Sequence, residues 1–146
     1  MNVFIDAGPL GQLCNPGPKY RPFRHWLAAV VQARQHQVFV SEVSIYEVRR
    51  ELLRVPLLTS VERLDEMSRR LTKTTPDPDT WRAAGELWAW LRNEGLPTAD
   101  DARLDFDVVL AAEARIYDAY VITRNERHLA RMVRTLSPEE ALHRIR

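Results

Sequence analysis

Short apolar runs along the chain alternate with longer stretches whose apolar residues recur every three or four positions. The first run, Val3-Phe4-Ile5, is β-branched and aromatic and predicts a buried strand. It ends on Asp6, and Gly8-Pro9 is expected to break the chain there, leading into a turn-rich loop over Cys14-Asn15-Pro16-Gly17-Pro18. Phe23, Trp26, Leu27, Val30 and Val31 then share one face of a helix opened by Pro22, with His25 and His36 off that face. Val38-Phe39-Val40 predicts a second strand, and a helix follows from the Ser41–Ser44 segment to about Val55, where Pro56 ends it. Leu57 to Leu71 continues in helical register, and Leu71 to Thr74 is read as a third strand. From Asp79 to Asn93 a helix is expected to carry Trp81, Ala84, Leu87, Trp88 and Leu91, with Gly95 at its C-cap. A loop over 96–103, a helix over Leu104–Tyr117 and a strand over Tyr120–Thr123 come next. A short helix or turn at Arg124–Arg131, a strand within Met132–Leu136 and a final helix complete the chain. Ser137-Pro138-Glu139-Glu140 has the form of a capping box that opens this last helix.

Strands alternating with helices imply a three-layer α/β/α arrangement around a mostly parallel sheet of four to five strands. The 146 residues are read as one domain. No apolar run approaches the ~20 residues that cross a bilayer. The N-terminus enters the first strand with no basic leader, and Cys14 is the one cysteine, so a cytoplasmic setting is expected, without an internal disulfide. A net charge of +1 leaves room for an acidic pocket with a basic surround. Nineteen of the 21 basic residues are Arg, the side chain best shaped to grip phosphate, although a compositional bias also accounts for such a count.

In open α/β sheets, ligands sit outside the carboxyl ends of the strands. Asp6 ends a strand, and the alternatives there are chemistry or a cap on the next segment. Glu47 has two readings. With Ser44 as N-cap, Ser44-Ile45-Tyr46-Glu47 is a capping box; with Ser41 as N-cap, Glu47 is interior and lies in line with Val43. Asp107 is expected to open a helix whose small residues Ala111 and Ala114 share its stripe, with Asp105 as the cap. Thr123 sits at a strand end as Asp6 does, and Asn125 follows it, suited either to the site or to a turn. Asp6, Glu47, Asp107 and Asn125 thus arrive at one end of one sheet from different βα units. Carboxylates held close repel one another, and a divalent cation relieves that repulsion. All-oxygen ligands suit Mg²⁺ or Mn²⁺, and phosphodiester hydrolysis is the chemistry they serve.

This set resembles the PIN-domain family, in particular the VapC-like toxin ribonucleases of type II toxin–antitoxin pairs. The resemblance rests on Phe4-Ile5-Asp6, Ser41 to Glu47, Asp107-Val108-Val109-Leu110-Ala111-Ala112-Glu113-Ala114 and Val121-Ile122-Thr123-Arg124-Asn125, in that order over nearly the whole chain. It implies a PIN-like domain with an acidic Mg²⁺ or Mn²⁺ site that cuts RNA. Asp6, Glu47 and Asp107 match the metal-binding acids, and Thr123 and Asn125 match the last polar motif. It further implies a homodimer and a cognate antitoxin protein. Two departures stand out: Asn125 is neutral where an acid is frequent, and His128 occupies a position where another acid is common. Arg49, Arg50, Arg124 and Arg127 are candidates to position substrate phosphates, with Arg49 and Arg124 foremost, and no membrane contact is expected. The rival readings are a non-cleaving PIN-like scaffold for RNA or protein, and a small-molecule phosphohydrolase. The latter is disfavoured because Ala7-Gly8-Pro9 lacks the second Asp of an aspartyl-phosphate motif.

Overall fold

The computed structural model describes residues 1–95 and 101–146. Its five strands are β1 (Asn2–Ile5), β2 (Gln37–Ser41), β3 (Thr72–Thr74), β4 (Tyr120–Ile122) and β5 (Thr135–Leu136). They form one sheet in the order β3-β2-β1-β4-β5, with every pairing parallel. The helices are α1 (Ala7–Cys14), α2 (Arg21–Ala33), α3 (Glu42–Arg54), α4 (Leu58–Arg70), α5 (Pro78–Asn93), α6 (Asp101–Ile116), α7 (Glu126–Leu129) and α8 (Pro138–Arg144), with a 3₁₀ turn at Pro18–Tyr20.

The strands read as continuous apolar runs because both of their faces are covered. Val3 and Ile5 point into a core built with α1, α2, α3, α4 and α8. Phe4, between them, points the opposite way, stacks on Phe39 of β2 at 5.0 Å between ring centroids, and joins a second core with α5, α6 and α7. The three-layer parallel α/β/α expectation therefore holds.

The chain moves outward from β1 to β2 and β3, then crosses to place β4 on the other flank of β1. The direction of winding reverses between β1 and β4, and such a reversal opens a crevice beyond the carboxyl ends of the two strands. Polar residues end all four of the strands around it: Asp6 and Thr123 directly after β1 and β4, and Ser41 and Thr74 as register partners closing β2 and β3.

Several expectations need correction. Gly8-Pro9 does not break the chain; both lie in the first turn of α1. Pro9 is tolerated because the first N–H groups of a helix have no intrahelical acceptor. On α5 the buried face is Thr80, Ala84, Leu87 and Leu91, while Trp81 is 56% exposed and Trp88 38% exposed. The loop expected over 96–103 lies outside the described residues at 96–100, and at 101–103 it is already helix. Because α6 starts at Asp101, Asp107 sits in its second turn rather than at its opening, and Asp105 is interior to the helix rather than its cap. The capping box at Ser137 is present in full: Ser137 N donates to Glu140 Oε2 at 2.8 Å and Glu140 N to Ser137 Oγ at 3.1 Å.

Candidate active site

Asp6 does both jobs weighed for it. As N-cap of α1, its Oδ1 accepts from the Ala7 N–H at 2.7 Å. Its Oδ2 accepts from the Thr123 hydroxyl across the β1–β4 crevice at 2.6 Å. Capping therefore fixes the carboxylate at the strand end rather than removing it from the cleft. With 8% of its surface exposed, Asp6 is desolvated enough to raise its pKa above the ordinary carboxylate value, against the smaller downward pulls of Thr123 and Ala7.

The Thr123 Oγ1 also accepts from the Asn125 N–H at 2.8 Å, and the Asn125 Nδ2 donates to Asp107 Oδ2 at 3.2 Å. Asn125 occupies the N-cap position of α7 without its side chain capping that helix. One chain of hydrogen bonds thus runs from Asp6 through Thr123 and Asn125 to Asp107. An aspartate at 125 lacks the N–H that makes the last link, so the neutral residue has a defined task here.

On α3 the Ser41 hydroxyl accepts from the Val43 N–H at 3.1 Å, so Ser41 is the N-cap and the Ser44 capping box is not formed. Glu47 is therefore interior to α3. It lines a cleft of roughly 670 Å³ together with Asp6, Asp107, Arg50, Arg124, Asn125 and His128. The cleft brings together Asp6, Glu47, Asp107 and Asn125, as the sequence predicts.

The arginines divide. Arg124 lines the cleft and is held from outside by Glu139, with Nη1 to Oε2 at 2.7 Å and Nη2 to Oε1 at 2.8 Å. Arg49 instead pairs with Asp65 of α4 and does not line the cleft; Arg50, one residue on, does. Arg127 is exposed and likewise outside the lining.

One buried acid escaped the sequence reading. Glu113 of α6 is 1% exposed, and neither of its carboxyl oxygens makes a well-formed hydrogen bond among the described residues. Burial raises its pKa, the Ser41 and Thr74 hydroxyls beside it pull the other way, and the charge of Asp77 adds to the rise. It was legible only as the one charged residue in an otherwise apolar run, Val108 to Ala114.

The cleft suits a hard cation through two features. Its carboxylate and amide oxygens outnumber its one imidazole, that of His128, and the Asp6 carboxylate is largely removed from water. Among the described residues no three His, Cys, Asp or Glu side chains are gathered as a complete metal cluster.

Comparison with known proteins agrees with this geometry. The PIN domain family model matches residues 3–134. No curated protein matches the chain. Among solved structures, VapBC2 from Rickettsia felis, bound to a DNA fragment from its promoter, is similar at a TM-score of 0.75 and 16% identity, covering 94% of this chain and 98% of that one. VapBC-1 from nontypeable Haemophilus influenzae is similar at 0.69 and 16%, covering 95% and 99%. PAE2754 from Pyrobaculum aerophilum is similar at 0.66 and 16%, covering 99% and 95%. With a family model spanning most of its length and a parallel α/β/α sheet to match, the chain belongs to the PIN domain family.

Proposed function

We propose that this chain is a metal-dependent endoribonuclease of the VapC-like toxin type, hydrolysing RNA phosphodiester bonds in the cleft between Asp6, Glu47 and Asp107. The observation that carries this reading is the meeting of carboxylates from β1, α3 and α6 in one crevice at the reversal point of the sheet. Carboxylates drawn from separate elements into one solvent-open cleft are the arrangement that metal-assisted phosphodiester hydrolysis uses.

Asp6, Glu47 and Asp107 are the residues that would hold Mg²⁺ or Mn²⁺. When bound, such an ion supplies Lewis acidity toward a phosphodiester oxygen and toward the attacking water. The chain's own contribution is position. Thr123 and the Ala7 N–H fix the two oxygens of Asp6, and Asn125 orients Asp107. Arg124, held by Glu139, and Arg50 place cations on the cleft wall, suited to substrate phosphates. The reading includes a cognate antitoxin partner, a homodimer and a cytoplasmic setting. The similarity to VapBC2 and VapBC-1 supports the antitoxin partner. No helix among the described residues is long and apolar enough to cross a membrane.

A non-cleaving RNA- or protein-binding scaffold is the second reading, favoured by the lack of a complete three-acid cluster among the described residues. Cleavage of a single-stranded RNA in saturating Mg²⁺ by wild type and Asp6→Asn separates the two. The nuclease reading expects wild-type cleavage and a loss beyond the ~100-fold typical of removing a supporting residue, with the circular dichroism spectrum unchanged. Equal cleavage by both proteins contradicts it.

A further inference from the structure

Each of two cleft acids is preceded by an aromatic residue: Tyr46 before Glu47 on α3, and Phe106 before Asp107 on α6. The two rings meet at 5.7 Å between centroids, tilted by 49°. The Arg50 guanidinium lies over both, with Cζ 5.5 Å from the Tyr46 centroid and 5.0 Å from that of Phe106. Arg50 also lines the cleft beside Glu47 and Asp107. Tyr46 remains 54% exposed, so its ring contributes little to the core. A tyrosine, a phenylalanine and an arginine therefore form a ledge joined to the acidic cleft through Arg50, the member of the three that lines it.

We propose that this ledge is a base-stacking subsite: it receives an unpaired nucleobase of single-stranded RNA, next to the phosphodiester that enters the cleft. The inference rests on the nuclease reading for the identity of the adjoining site. Three features of the ledge favour a nucleotide. Flat rings offer a face to any base, a guanidinium stacks on a base and attracts the phosphate attached to it, and a paired base has no free face to give. Selectivity for single strands then follows from the ledge, and the chemistry from the acids behind it. A protein segment seated on the same rings is the competing occupant.

The test replaces Tyr46 with Ala and with Phe, at an exposed position where the fold does not depend on the ring. The probe is a single-stranded RNA dodecamer carrying 2-aminopurine at successive positions, titrated with EDTA present so that cleavage plays no part. Wild type is expected to quench the fluorophore at one or two positions. Tyr46→Ala is expected to lose that quench and to bind roughly ten-fold more weakly or worse, and Tyr46→Phe to retain both. In a parallel cleavage assay, Tyr46→Ala is expected to raise KM with kcat nearly intact. Wild-type quenching and binding by Tyr46→Ala overturns the ledge, as does an equal loss in Tyr46→Phe, or an effect of Tyr46→Ala confined to binding of a protein partner. Failure of the nuclease reading shows separately, as an absence of cleavage by wild type while the titration still reports on the ledge.

Discussion

The carboxyl edge of the sheet holds two buried acids in opposite circumstances. Asp6, at the β1–β4 crevice, has a donor on each oxygen and opens on a cleft. Glu113, beside the ends of β2 and β3, is sealed in and lacks a well-formed hydrogen bond among the described residues. Burial raises the pKa of both. The difference lies in partners and access. Around Asp6 the Ala7 N–H and Thr123 hydroxyl each bond one carboxylate oxygen and pull toward the charged form, though desolvation outweighs them. Around Glu113 desolvation likewise outweighs the two hydroxyls, here with neither oxygen in a well-formed hydrogen bond among the described residues. Burial alone does not set the two acids apart; fixed donors together with an open cleft do.

The comparison is broken most sharply at Thr123. Thr123→Val keeps the shape and removes the hydroxyl that donates to Asp6 and accepts from Asn125. Under the nuclease reading, cleavage falls by about 10- to 100-fold, as for loss of a supporting partner. The sign of the pH effect is fixed as well. Thr123 lowers the Asp6 pKa, so its removal raises that pKa further, and the acid limb of the kcat/KM profile moves to higher pH. An unmoved limb separates Thr123 from Asp6.

Glu113→Gln reads the other acid. A carboxyl whose folded pKa is raised favours folding at pH values below its unfolded value, near 4.5, and that contribution is lost as pH rises through the folded value. Urea denaturation of wild type should therefore show stability declining over that range, with a flatter profile for the variant. At pH 7 Glu113→Gln is expected to be more stable than wild type, because the variant has no carboxylate charge to desolvate. A variant less stable at pH 7 but equal at pH 4 contradicts the neutral-acid reading. The smallest effect belongs to Arg49→Ala: its half-exposed pair with Asp65 joins α3 to α4, so stability falls by roughly 0.5 kcal/mol while cleavage is unchanged.

Much of this architecture was legible because strand and helix periods differ so clearly along the chain. The Val3-Phe4-Ile5 run, the Phe23–Val30 stripe and the Ser137 box each carried their own local signal. Pro9 misled because proline marks a break in a helix interior but is tolerated in the first turn of α1. Trp81 and Trp88 misled because they share the three-to-four spacing of Ala84, Leu87 and Leu91, while the buried face of α5 runs through Thr80, Ala84, Leu87 and Leu91. In the site, Asp6 and Thr123 could be placed from strand ends. The Asn125–Asp107 bond, the choice of Arg50 over Arg49, and the rings of Tyr46 and Phe106 depend on how α3, α6 and α7 pack together, and no local period encodes that.

The central claim is that Asp6, Glu47 and Asp107 act together on one cation. Titration calorimetry with Mn²⁺ tests it without any substrate. The account predicts a site in the wild-type protein that weakens strongly or vanishes in Asp107→Ala, while Glu113→Gln binds as wild type does. Binding unchanged by loss of Asp107, or no binding by the wild-type protein, contradicts it.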